Sequence, residues 1–182
     1  MKTIGLIGGM SWESTSLYYS AINKEIKSAL GGLHSAKICL YSVDFHEIEQ
    51  LQHQGKWAET ADILAKAAQA VEAGGADVFL ICTNTMHKVA AEVQAAVNIP
   101  MIHIADATAK GLLAGGITKV GLLGTAFTMQ QEFYKGRLTS EFGIEVLVPN
   151  TEQQVMVHEV IYQELCLGEI NLASKQKYLE VI

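Results

Sequence analysis

The sequence predicts an α/β fold in which parallel strands carry helices on their faces. Short apolar runs alternate with longer stretches of helical period, and several of the runs end in turns rich in Gly, Ser, Thr or Asn. The only two prolines, Pro100 and Pro149, fall at loop punctuation rather than inside a predicted element. With 182 residues, 49% hydrophobic and 18% charged, the chain has material for one large domain or two small ones around a buried core. Disorder, collagen and coiled coil are excluded.

The elements follow in order. TIGLIG opens as a strand, and a helix is expected from about Glu13 to Leu30. AKICLYSV is the second strand, followed by a helix from about Lys56 to Ala73, and ADVFLICT is the third, followed by a helix from about Met86 to Val97. PMIHI reads as a further strand ahead of a helix from about Ala107 to Ala114. KVGLLGT is the next strand, with helices beginning near Thr128 and Glu152. The expected division is 1–100 and 101–182.

A self-comparison adds to this. IGLIGGMSWESTSLY at 4–18 aligns with VGLLGTAFTMQQEFY at 120–134, pairing Gly5 with Gly121, Gly8 with Gly124 and Tyr18 with Tyr134. Either two similar strand-turn-helix units arose independently, or the chain has two homologous halves. In the second case the counterpart of ADVFLICTNTMH, at 76–87, falls beyond Ile182, and the chain is expected to be a fragment with an incomplete second half.

The formal charge is −6, from 13 basic and 19 acidic side chains, and no lysine or arginine cluster offers a footprint for a phosphate backbone or an anionic membrane. No nucleic acid or membrane partner is expected. Gly8, Gly9 and Glu13 interrupt what a secretory apolar core requires, and the run VFLIC is far short of the ~20 residues that span a bilayer. Cys39, Cys82 and Cys166 form no CxxC pair or even-numbered framework, which fits a reducing cytoplasm. The six histidines show no HxH or HxxxH spacing, and no metal site is expected.

Two turns carry the candidate chemistry. CTNTMH, Cys82 to His87, stands at the carboxyl end of an apolar strand, where open α/β sheets bind ligands. Thr83, Asn84 and Thr85 suit a helix cap whose amides attract a carboxylate, and Cys82 or Thr83 offers a proton-transferring group. A thiol at a helix N-terminus has a lowered pKa, whereas a threonine hydroxyl needs an activator. Cys82 is equally well read as a small buried hydrophobe. GGMSWEST, Gly8 to Thr15, is the other turn, where Met10, Ser11 and helix amides line a pocket or simply connect two elements. The glycines at 5, 8 and 9 do not spell GxGxxG, and no acidic ribose partner stands about 20 residues onward, so no nucleotide cofactor is expected. Thr125 in LLGTAFTM occupies the place of Gly9 in the repeat. His87 is placed to orient the loop, His103 to close a strand, and Cys166 to pack in the core from an amphipathic helix.

On CTNTMH and IGLIGGMSWEST, with SVDFHEIE and HIADAT, the chain resembles the aspartate/glutamate racemase family, in its amino-acid racemase branch, from Met1 to Ile182. The resemblance implies two pseudo-symmetric Rossmann-like parallel-sheet halves, the second incomplete here, and a cofactor-independent racemase for aspartate- or glutamate-like substrates. It implies one acid/base residue per half, one on each face of Cα, because inversion needs a base and an acid on opposite sides. It also implies a homodimer.

The family's first acid/base residue is the cysteine of a CNT motif. Here Thr83 precedes Asn84, with Cys82 one place earlier on the other face of the strand. The role therefore transfers to Thr83, with Cys82 as its competitor, and an enzyme that runs better in one direction is expected. The second cysteine belongs to a GCTE-like motif absent from these residues, so little or no racemase activity is expected of the chain. Substrate contacts carry over to Met10, Ser11, Asn84, Thr85 and Thr125, to Gln52 in a loop after SVDFHEIE, and more weakly to Glu164. The alternative is a non-catalytic amino-acid- or dicarboxylate-binding protein of the same fold.

Overall fold

The computed structural model describes residues 1–182, which form two compact units, Met1–Ile102 and His103–Ile182. The first unit is built on a parallel sheet of β1 (Thr3–Gly8), β2 (Lys37–Ser42) and β3 (Val78–Ile81), in the order β2-β1-β3. Ile4 is in register with Ile38 and Val78, and Leu6 with Leu40 and Leu80. The carboxyl ends of all three strands therefore lie along one edge. Its helices are α1 (Trp12–Leu30), α2 (Phe45–His53), α3 (Trp57–Ala73) and α4 (Ala90–Ala95), with a 3-10 turn over Thr85–Val89.

The core forms where α3 meets β1 and β3. Leu64, Ala67, Ala68 and Val71 pack with Ile7, Phe79 and Ile81, all essentially solvent-free. Alanines along α3 let the helix sit close to the sheet, and Gly5 completes the fit: a Cβ there would stand 2.9 Å from Val71 Cγ2 and 3.0 Å from Phe79 Cβ.

The second unit has a short parallel pair, β4 (Lys119–Gly121) and β5 (Glu145–Leu147), with Val120 opposite Val146. Around it lie α5 (Ile104–Ala114), α6 (Ala126–Gln130), α7 (Glu132–Phe142), α8 (Thr151–Gln163) and α9 (Leu172–Val181). Its core joins Ala105, Ala109, Tyr134, Leu138 and Ile144. Arg137 holds Asp106 through two hydrogen bonds, Nε to Oδ1 at 2.5 Å and Nη2 to Oδ2 at 2.9 Å, tying α7 to α5. No helix is long and apolar enough to cross a membrane.

The alternation of parallel strands and helices is as the sequence predicts, and four local expectations are corrected. PMIHI is not a strand: it contributes one parallel bridge, Phe79 with Met101, and by Ile104 the chain is already helical. His103 instead caps α5, its Nδ1 accepting from the Ala105 amide at 3.2 Å. The stretch after β2 is not a loop but α2, begun by Asp44, whose side chain accepts from the His46 amide. Cys166 sits in a 3-10 turn, Leu165–Leu167, whose two leucines are exposed, rather than in the core.

Candidate active site

The turn after β1 is closed by a side chain from inside the following helix. Thr15, buried in the first turns of α1, accepts from the Gly9 amide at 2.9 Å and donates to the Ser11 carbonyl at 3.0 Å. Gly9 has φ near +94°, a conformation that favours glycine, and the Gly8 carbonyl accepts from the Val43 amide at 3.0 Å. The turn is thus bound both to its own helix and to the end of β2. Met10 and Ser11 are buried, and Met10 packs into the hydrophobic core.

The turn after β3 lies beside it, since the Cys82 amide donates to the Ile7 carbonyl at 2.9 Å. Cys82 and Thr83, the two residues just past β3, differ in burial. Cys82 has no solvent exposure, and burial pushes its thiol up to about 12, so at neutral pH it is a protonated thiol rather than a thiolate. This runs against the reading of a thiol activated by a helix N-terminus and fits the reading of a small buried residue: Cys82 precedes that terminus and is fully buried, so desolvation dominates. Thr83 is half-exposed, Asn84 exposed and Thr85 buried.

Asn84 begins the 3-10 turn with no side-chain cap bond, so the expected capping role is not its own. Two other side chains fasten this turn. Ser14 Oγ donates to the Cys82 carbonyl at 3.1 Å, and Nδ1 of the buried His87 lies 2.8 Å from the Thr83 carbonyl. Gln52, 3% exposed on α2, directs its Nε2 to Met86 Sδ at 3.0 Å. The first unit therefore gathers Met10, Ser11, Gln52, Cys82, Thr83, Asn84 and Thr85 around the carboxyl edge of its sheet, the place where parallel α/β sheets take ligands. Thr83 is half-exposed there, between two hydrogen-bonded peptide carbonyls.

Residues 7–182 match the sequence model of the Asp/Glu/hydantoin racemase family. The chain belongs to the Asp/Glu/hydantoin racemase family. Among solved structures it is similar to an Asp/Glu racemase candidate from Yersinia pestis, with 56% identity and a TM-score of 0.90 over 100% of this chain and 79% of that one. An aspartate racemase homologue from Pyrococcus horikoshii OT3 is 40% identical, with a TM-score of 0.76 over 93% of this chain and 74% of the other. The aspartate racemase of Picrophilus torridus, 20% identical with a TM-score of 0.79 over 100% of this chain and 75% of its own, shows the fold alone. The broad specificity amino-acid racemase RacX of Bacillus subtilis (strain 168) is 27% identical over 158 residues, 84% of this chain and 67% of RacX.

In this member of the Asp/Glu/hydantoin racemase family the remaining two candidates lie in the second unit. Thr125 caps α6, its hydroxyl accepting from the Thr128 amide at 3.3 Å and sharing a hydrogen bond with the Thr128 hydroxyl at 3.2 Å. Glu164 ends α8, and its Oε1 accepts from Ser174 at 2.7 Å while Oε2 is buried without a hydrogen-bond partner. Ser14 and Thr15 were not singled out from the sequence, although both stand in GGMSWEST. Their signal was a hydroxyl pair three and four residues after the turn, a pattern that also fits an ordinary solvated helix.

Proposed function

We propose that this chain is an amino-acid racemase of the cofactor-independent type, handling aspartate- or glutamate-like substrates by proton transfer at Cα, with Thr83 as the acid/base group of its first half. The observation that carries this is the contrast at the end of β3: Thr83 is half-exposed beside the turn, while Cys82 is sealed and fully protonated. The family and the aspartate racemase homologue at 40% identity support amino-acid racemisation. Met10, Ser11, Gln52, Asn84, Thr85, Thr125 and Glu164 are the proposed substrate contacts. Met10 and Ser11 border the β1 turn, Asn84 and Thr85 the β3 turn, and the buried Gln52 amide lies against the latter.

The chemistry follows from the groups available. A base on the opposite face takes the α-proton, Thr83 Oγ gives its own proton to the resulting Cα carbanion to form the new C–H bond, and the Thr83 alkoxide is reprotonated from water. A threonine is a better donor than acceptor at neutral pH, so the reading includes a preferred direction of turnover. Cys39 stands inside β2 and Cys166 in a 3-10 turn, and neither follows a strand end. That supports weak or absent two-way racemisation by these 182 residues. Three cysteines outside any disulfide support a cytoplasmic location, and exposed Leu17 and Tyr19 on α1 with Leu40 and Tyr41 on β2 support a homodimer.

The sealed thiol also favours one other reading, an amino-acid-binding protein with the same turns and no turnover. Incubating the chain with L-aspartate or L-glutamate in deuterated water separates the two. Deuterium at Cα supports the racemase, and binding without exchange supports the binder.

A further inference from the structure

We propose that Ser14 and His87 are positioning residues that set the direction of the Thr83 side chain. The Cys82 carbonyl belongs to the peptide plane entering Thr83, and the Thr83 carbonyl to the plane leaving it. Ser14 Oγ donates to the first at 3.1 Å and His87 Nδ1 to the second at 2.8 Å. The two planes meet at the Thr83 Cα, so fastening both sets φ and ψ there and with them the Cα–Cβ direction. The anchors come from different places: Ser14 from α1, 68 residues earlier, and His87 from the 3-10 turn one step on. The Ser14 anchor does not depend on the short turn holding its own shape, and the His87 anchor closes that turn on itself.

His87 can play this part in only some of its forms. A carbonyl oxygen accepts and never donates, so Nδ1 must carry the proton. The ring is 3% exposed, held by packing as well as by this bond. An asparagine at this position places an amide nitrogen near the site of Nδ1, whereas a glutamine extends it toward that of Nε2. The pair separates the hydrogen bond from mere polarity and size.

The functional consequence rests on reading Thr83 as the acid/base group, but the geometric part does not. The test is therefore double. In the full chain, the three-bond amide–Hα and methyl couplings of Thr83 report its φ and χ1, and Cα deuterium exchange into L-aspartate and L-glutamate reports its work. Ser14→Ala and His87→Gln should shift the Thr83 couplings toward rotamer-averaged values, while His87→Asn leaves them as in the parent.

Where the parent exchanges, Ser14→Ala and His87→Gln should lower kcat by about 100-fold with little change in KM, as for a group displaced by about 1 Å, and His87→Asn should recover most of it. Thermal midpoints identify any variant that fails to fold, and if His87→Gln does, Ser14→Ala decides. Unchanged Thr83 couplings in folded Ser14→Ala and His87→Gln would overturn the proposal. No exchange in the parent, with the couplings shifting as expected, would remove the racemase reading and leave the positioning role standing.

Discussion

At the scale of single residues, two neighbours on one strand end are given opposite fates by burial. Cys82 is fully buried, and desolvation keeps its proton, whereas Thr83 is half-exposed just past the strand end. Thr83→Val, which keeps shape and deletes the hydroxyl, should reduce Cα exchange by about 10²- to 10⁴-fold, the range for loss of a general acid/base group. Cys82→Ala should alter stability more than rate, and a larger rate loss in Cys82→Ala than in Thr83→Val would reverse the assignment.

His103 makes a second residue-scale prediction. Its Nδ1 accepts a backbone amide, and burial first, then the Arg137 charge, holds its pKa below 6.5 against the opposing pull of Asp106. A folded pKa below the unfolded one means that the contribution is complete above pH 6.5 and lost as pH falls through the folded value. His103→Asn keeps a capping acceptor that does not titrate. Thermal midpoints measured from pH 8 downward should fall more steeply for the parent than for His103→Asn, and parallel curves would count against the effect.

At the scale of elements, the join between β1 and α1 depends on one glycine. A Cβ on Gly8 would stand 2.3 Å from Thr15 Cγ2 and 2.6 Å from its Oγ1, the oxygen that ties Gly9 to Ser11. Gly8→Ala should therefore destabilise by about 1–3 kcal/mol, the cost of overpacking a close-packed site, measured as a lower denaturant midpoint. Adding Thr15→Ser deletes the nearest methyl and should restore part of the loss. The second unit pairs Gly124 with Thr128 more loosely, with a Cβ 3.2 Å from Thr128 Cβ, so Gly124→Ala should cost less than Gly8→Ala.

At the scale of the whole molecule, the gathering of turns at the first unit's sheet edge predicts the class of ligand. Amino acids such as L-aspartate should raise the thermal midpoint with the logarithm of their concentration above Kd, with about 2.7 kcal/mol of stabilisation at 100 times Kd. A nicotinamide dinucleotide should give no shift, because the β1 turn lacks GxGxxG. A dinucleotide shift with none from any amino acid would point to a different ligand class.

The sequence by itself determined the α/β class, strands β1 to β3 with α1 and α3, and the turns that follow β1 and β3, because apolar runs and turn residues are local signals that pairing only reinforces. It did not determine α2, since FHEIEQLQH is only 9 residues long and its apolar Phe45, Ile48 and Leu51 are interspersed with polar side chains, while its start is fixed by the Asp44 cap. It turned PMIHI into a strand, because Met101 does bridge to Phe79, while the His103 cap that starts α5 one residue later depends on a side-chain bond. The sequence reads Cys82 and Thr83 as strand neighbours on opposite faces, but β3 ends at Ile81, and it is packing past the strand end that covers Cys82 and leaves Thr83 half-exposed. The fastening of the Thr83 peptides by Ser14 and His87 was likewise settled in three dimensions: a bond between residues 68 apart leaves no periodic trace in the chain.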